Sequence, residues 1–119
     1  MFDNEFRKSY PFLTQYFESI LTSENKTLSH CILFYGQNIE VQYKLAVEIA
    51  RILNCKGNKS IDCDCFSCRW IRENKHPSVV TVSPIDFKED SSKTVISVKQ
   101  IQNIKASLVN TSEYYRVFI

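Results

Sequence analysis

Apolar residues along the chain change their period several times, and each change marks an element. From Pro11, suited to a helix first turn because the N–H it lacks would be unpaired there anyway, Phe12, Leu13, Tyr16, Phe17, Ile20 and Leu21 recur at helical spacing. The polar break from Thr22 to Lys26 ends this predicted amphipathic helix. Cys31, Ile32, Leu33, Phe34 and Tyr35 form an unbroken apolar run stopped by Gly36, the pattern of a strand buried on both faces of a parallel sheet. Val41, Leu45, Ala46, Ile49, Ala50 and Leu53 return to helical spacing and lead directly into a cysteine-rich segment starting at Cys55. His76-Pro77 then interrupts the chain, because a residue before proline is pushed out of the helical region, and Val79 to Val82 reads as a second strand. After a polar, loop-like stretch from Asp86 to Thr94, Ser97 and Gln100 form a capping-box signature. They head a third helix, striped with Val98, Ile101, Ile104 and Leu108, and Tyr115 to Ile119 begins a third strand.

Strands separated by helices imply right-handed crossovers, so the expected fold class is α/β, a parallel sheet with flanking helices. With 119 residues the chain has room for one compact domain, since domains run to about 100–150 residues. A hydrophobic content of 44% with 24% charged residues supports a buried core and argues against disorder. The net charge of +2 comes from scattered basic residues and gives no stripe for nucleic acid, so any DNA contact is expected only within an assembly. The start Met1-Phe2-Asp3-Asn4-Glu5 lacks a basic, apolar leader and no window approaches a membrane span, which predicts a cytoplasmic location and no membrane partner. Five cysteines, an odd count in such a setting, point to metal or free thiols rather than disulfides.

A strand that ends in glycine and enters a helix is where a phosphate loop would lie, because helix N-terminal amides and glycine-freed backbone wrap phosphate oxygens. The required pattern is G-x-x-x-x-G-K-[ST]. Here Gly36 supplies the first glycine, but Val41 replaces the second, Gln42 the lysine and Tyr43 the hydroxyl that holds magnesium. The other glycine, Gly57, is too distant to repair the loop in another register. Lys44 is no substitute: about 200° around the helix from position 42, it belongs on the surface. Val41 stiffens the backbone and Glu40 repels phosphate, so ATP binding and catalysis are not expected, and no catalytic residue is assigned.

Cys55, Cys63, Cys65 and Cys68 follow the spacing C-x7-C-x-C-x2-C. Four thiolates in so short a span suit a closed, structural zinc site, with free cysteines or an iron–sulfur cluster as the alternatives. Lys56, Lys59, Arg69 and Arg72 flank the cluster and could offset the charge of a zinc tetrathiolate. Cys63-Asp64-Cys65 is tighter than the usual C-x2-C, and an extended chain would aim the two sulphurs apart, so a bend is required. Without it, Asp62, Asp64 or His76 could replace one thiolate. Cys31, within the predicted first strand, reads as a small core residue.

These stretches together resemble the clamp-loader subunits of bacterial DNA polymerase III, the delta-prime type most of all. The resemblance rests on Ser29 to Gly36, Leu45 to Arg51, Leu53-Asn54-Cys55, the cysteine cluster closed by His76-Pro77, Ile96 to Ile101, and Tyr115 to Ile119. It spans about residues 8 to 119, and its most specific element is the cluster placed after the phosphate-loop helix. It implies an AAA+ domain with an inserted zinc module at 55–76 and a structural Zn2+. The departures at Val41, Gln42 and Tyr43 separate this chain from motor subunits and fit delta-prime subunits, which commonly lack a working loop and act as a stator. The expected partners are other clamp-loader subunits and, indirectly, the sliding clamp. In the family the last strand continues into an acidic position, followed by a sensor serine, an arginine finger, a helical lid and a collar. Residues 1–119 therefore read as the N-terminal part of a truncated P-loop-type domain. The implied strand order, five-one-four-three-two, leaves the run at 31–35 without its fourth-strand neighbour, which predicts a homo-oligomer, a strand swap or a rearranged sheet. The alternatives are an ATP-binding motor subunit of the tau/gamma type, a free-standing zinc-stabilised adaptor, and a nucleic-acid-binding zinc module.

Overall fold

The computed structural model describes residues 2–24, 28–83, 96–109 and 113–119, and the predicted loop from Asp86 to Thr94 lies outside them. The chain divides between His76 and Pro77, where the proline break was predicted, into two compact units.

The first unit is helical. Helix α1 (Asn4–Ser9) starts where the Asp3 carboxylate accepts from the Phe6 amide at 2.6 Å, and it stops before Pro11. Helix α2 (Pro11–Thr22) carries proline in its first turn, as predicted. Glu18 on α2 accepts from Arg7 of α1 at 2.6 Å and from the Phe2 amide at 3.4 Å, holding the two short helices together. Helix α3 (Ile39–Asn54) is the long predicted amphipathic helix, and α4 (Phe66–Arg72) lies within the cysteine segment. Phe2, Phe17, Leu21, Leu45, Ile49 and Ile52 form the core, drawn from the chain start, α2 and α3.

The second unit holds β1 (Val79–Val80) and β2 (Val117–Phe118), paired in parallel with Val79 opposite Val117. Helix α5 (Val98–Ser107) begins at Ser97 with the predicted capping box complete: Ser97 accepts from the Gln100 amide and Gln100 accepts from the Ser97 amide. The Gln100 side chain also donates to the Ser83 carbonyl at 2.7 Å. None of the α5 residues is buried, so its apolar stripe is not covered as the sequence reading expected.

The described residues thus form a small, mainly helical structure with a two-stranded parallel sheet, and further expectations need correction. Residues 31–35 form no strand: Leu33 and Tyr35 are 82% and 89% exposed, and Cys31 is exposed rather than a core residue. Only Phe34 turns inward, its ring edge-on to Phe17 at 6.1 Å. Apolar character makes a segment fit for a sheet, but a ladder needs a neighbouring strand, and among the described residues none pairs with it. The stripe on α2 is also narrower than its spacing implied, for Phe17 and Leu21 are buried while Phe12 is 85% exposed.

That division sets the expected mutational response. Leu21→Ala should lower the unfolding free energy by about 2–5 kcal/mol through the cavity it leaves, whereas Phe12→Ala should change it by less than about 0.5 kcal/mol. Chemical denaturation of the two variants measures both, and equal losses would contradict the burial pattern.

Candidate metal centre

Three local devices bring four cysteines together after α3. The first is the helix end itself, which delivers Cys55 in extended conformation as the C-cap residue. Its sulphur then accepts from the Gly57 amide at 3.3 Å, curling the chain around Sγ. The second is a reversal at Lys59, whose φ of 61° lies in the left-handed region, followed by a turn in which the Cys63 amide donates to the Ser60 carbonyl at 3.0 Å. The third is the start of α4, with Cys65 as its N-cap residue and Cys68 one turn later. One helical turn aligns that pair on a common face.

The four sulphur atoms all lie within 4.8 Å of one another. Cys55 Sγ is 3.5 Å from Cys63 Sγ and 4.0 Å from Cys65 Sγ. A tetrahedral ion with metal–sulphur bonds of about 2.3 Å spaces its ligands about 3.8 Å apart, so the arrangement fits one tetrathiolate ion such as zinc. A polynuclear iron cluster needs its thiolates farther apart. The bend required at Cys63-Asp64-Cys65 is therefore made, and all four predicted cysteines converge. Among the described residues no histidine or carboxylate joins the cluster: Asp64 instead faces Arg69 at 3.7 Å, and His76 is buried beside Trp70, where burial lowers its pKa.

Gly57 leaves the room the cluster needs. A Cβ at this position would come within 2.6 Å of Cys63 Sγ and 3.9 Å of Cys55 Sγ. The thiols are also electrostatically unequal. Donation from the Cys65 amide holds the Cys63 thiol below its ordinary range. Burial pushes the Cys65 thiol up, but backbone N–H donation from Cys68 and Lys56 outweighs it and brings Cys65 down to about 6. Burial pushes the Cys68 thiol up to about 12, against the pull of a hydrogen bond from Arg51.

Arg51 is the residue the sequence reading missed. It is 1% exposed, on α3, and its Nη1 donates to Cys68 Sγ at 3.2 Å and to the Ser60 carbonyl at 3.0 Å. Its Nε donates to Glu48 at 2.8 Å, and Nη2 pairs with the same carboxylate. Burial opposes the guanidinium charge, yet the Glu48 pairing holds its pKa above the ordinary value. Three of the flanking cations proposed from sequence have other partners. Lys59 Nζ donates to the Leu21 carbonyl at the end of α2 at 3.1 Å, and Arg72 donates to the carbonyls of Cys63 and Ile61. Arg69 lies over the Phe66 ring at 4.9 Å. The signal for Arg51 was its place beside Ala50 and Ile52 on the buried side of α3, where a charge needs partners.

The stretch compared with a phosphate-loop pattern lies at the other end of α3. Gly36 has a φ of 142°, a backbone that favours glycine, and a Cβ there would meet Gln42 Nε2 at 3.2 Å. Asn38 caps the helix, its side chain accepting from the Val41 amide at 3.2 Å, so one first-turn donor is already used. Tyr43 is 39% exposed, and Lys44 is on the surface, 3.6 Å from Glu40 one turn back.

Taken together, these features define a class: a helical unit with a metal-ready four-cysteine loop behind a long helix, followed in sequence by parallel strands and a capped helix. Residues 11–119 match the family described as DNA polymerase III, delta subunit, and the chain belongs to that family, the clamp-loader subunits of the polymerase. No curated protein and no solved structure matches the chain. No helix among the described residues is long and apolar enough to cross a membrane.

Gly57→Ala should cost about 1–3 kcal/mol of unfolding free energy, because Cys63 must move to admit the methyl group. Denaturant titration gives the number, and a variant as stable as the parent would show that the loop yields freely.

Proposed function

We propose that this chain is a non-catalytic, stator-like clamp-loader subunit of the delta-prime type, which contributes to DNA replication by holding neighbouring subunits rather than by hydrolysing ATP. Its family membership supports the setting, and the carrying observation is the entry to α3. There Asn38 occupies the Val41 amide, Gln42 Nε2 lies over Gly36, and no lysine or magnesium-binding hydroxyl stands at positions 42 and 43. Phosphoryl transfer depends on positioned charge around the phosphates, and this loop supplies none. In this reading the AAA+ resemblance describes the ancestry of the domain. A structural Zn2+ bound by Cys55, Cys63, Cys65 and Cys68 braces the loop behind α3. The partners are other clamp-loader subunits and, through them, the sliding clamp and DNA, in the cytoplasm. The exposed run at 31–35 is open to pairing, so self-association of the isolated chain belongs to the same proposal.

Two measurements test it. Elemental analysis of protein purified without added metal should find one zinc per chain, and metal near zero with five freely titrating thiols would defeat the zinc assignment. Calorimetry with ATP and magnesium should show no binding in the low micromolar range. Such binding would instead favour the motor-subunit reading.

A further inference from the structure

We infer that Arg51 is the residue that sets the charge and donor strength of the four-cysteine centre, acting on the metal through Cys68. The inference rests on the zinc reading and goes beyond it, since Arg51 is not a ligand. A zinc tetrathiolate carries two negative charges, and burying them is costly unless cations and N–H donors face the sulphurs. Cys68 is fully buried, so water cannot perform that task at its sulphur. Arg51, 1% exposed, approaches Cys68 Sγ at 3.2 Å and brings a permanent positive charge.

The guanidinium is also held in place. Glu48 receives Nε and Nη2, while Nη1 serves both the Ser60 carbonyl and Cys68 Sγ. This fork fixes the direction of the N–H aimed at sulphur, as outer-shell partners of metal ligands do. Glu48 has a second consequence. It shares the arginine's charge with the thiolates, so the carboxylate competes with the metal site for the same cation. Arg51 thereby links α3 to the middle of the cysteine loop and to α4 through one buried group.

The test uses the whole chain and two metal probes. Zn2+ affinity is measured by competition with a chromophoric chelator, and Co2+ binding by its thiolate charge-transfer band. Arg51→Met should weaken Zn2+ binding by about 10- to 100-fold. It should also move the cobalt band to lower energy, because a sulphur relieved of the donated N–H becomes a stronger electron donor. Glu48→Gln separates charge from scaffolding, and it carries the test if Arg51→Met does not fold. Glutamine keeps an oxygen to accept from Arg51 and so keeps the direction of the fork. Neutralising the carboxylate leaves more of the guanidinium charge to the sulphurs, so Zn2+ affinity should rise, whereas a purely structural clamp would gain nothing. Arg51→Met binding Zn2+ within twofold of the parent with an unmoved band overturns the inference, as does unchanged or lower affinity in Glu48→Gln. In either case a parent chain that binds Zn2+ tightly leaves the zinc reading standing. A parent chain that takes up neither metal overturns both.

Discussion

A guanidinium almost wholly removed from water governs the arrangement of the first unit. Arg51 projects from the last turn of α3, and its charge cannot be left uncompensated inside the protein, where breaking such a pair costs several kcal/mol. Glu48, one turn earlier, answers part of the need. The rest must come from chain that follows the helix, and it does: the Ser60 carbonyl and the Cys68 sulphur close around the same group. The loop is thereby folded back against the helix it has just left, with the left-handed residue Lys59 at the reversal.

That return has effects on two other helices. Lys59, held at the bend, extends its ammonium to the Leu21 carbonyl, where the C-terminal end of α2 carries partial negative charge. Leu21 itself lies in the core with Ile49 and Ile52, so the loop and the core meet at one residue. Arg72 of α4 binds the carbonyls of Cys63 and Ile61 and fixes the far side of the loop. A metal held by the four cysteines would brace contacts among α2, α3 and α4. The two ends of α3 thus differ in chemistry. The N-terminal end is capped by its own Asn38, and the C-terminal end is organised around charge and sulphur, which suits the proposed role of a rigid, non-hydrolysing subunit.

Much of this was legible in local pattern. Pro11, the capping box at Ser97 and Gln100, and the stripe of α3 each act over one or two helical turns, and each appears where the sequence placed it. The four cysteines were legible too, because few other uses explain four thiols so closely spaced. Helix α1 was missed although Asp3 and Pro11 bracket it, since six residues are too few to display a period. Helix α4 was hidden by the cysteines, whose spacing speaks of ligands rather than of a helix. The cationic partner of the cluster was sought among its sequence neighbours, but Arg51 acts from seventeen positions before Cys68. Proximity of that kind follows from the fold.

What the sequence determined by itself was the set of helices with strong ends and clear stripes, the candidate ligands, and the mismatch of Val41, Gln42 and Tyr43 to a phosphate-loop pattern. These follow from chemistry confined to one residue or one turn. Only the tertiary structure decided which apolar residues are buried, that Cys63 and Cys65 turn toward a common centre, and that Arg51 faces their site. It also decided that the run at 31–35, as apolar as any strand, forms none among the described residues. Burial, convergence and strand pairing are each completed by a group distant in sequence, and a local pattern can specify only its own half of such a contact.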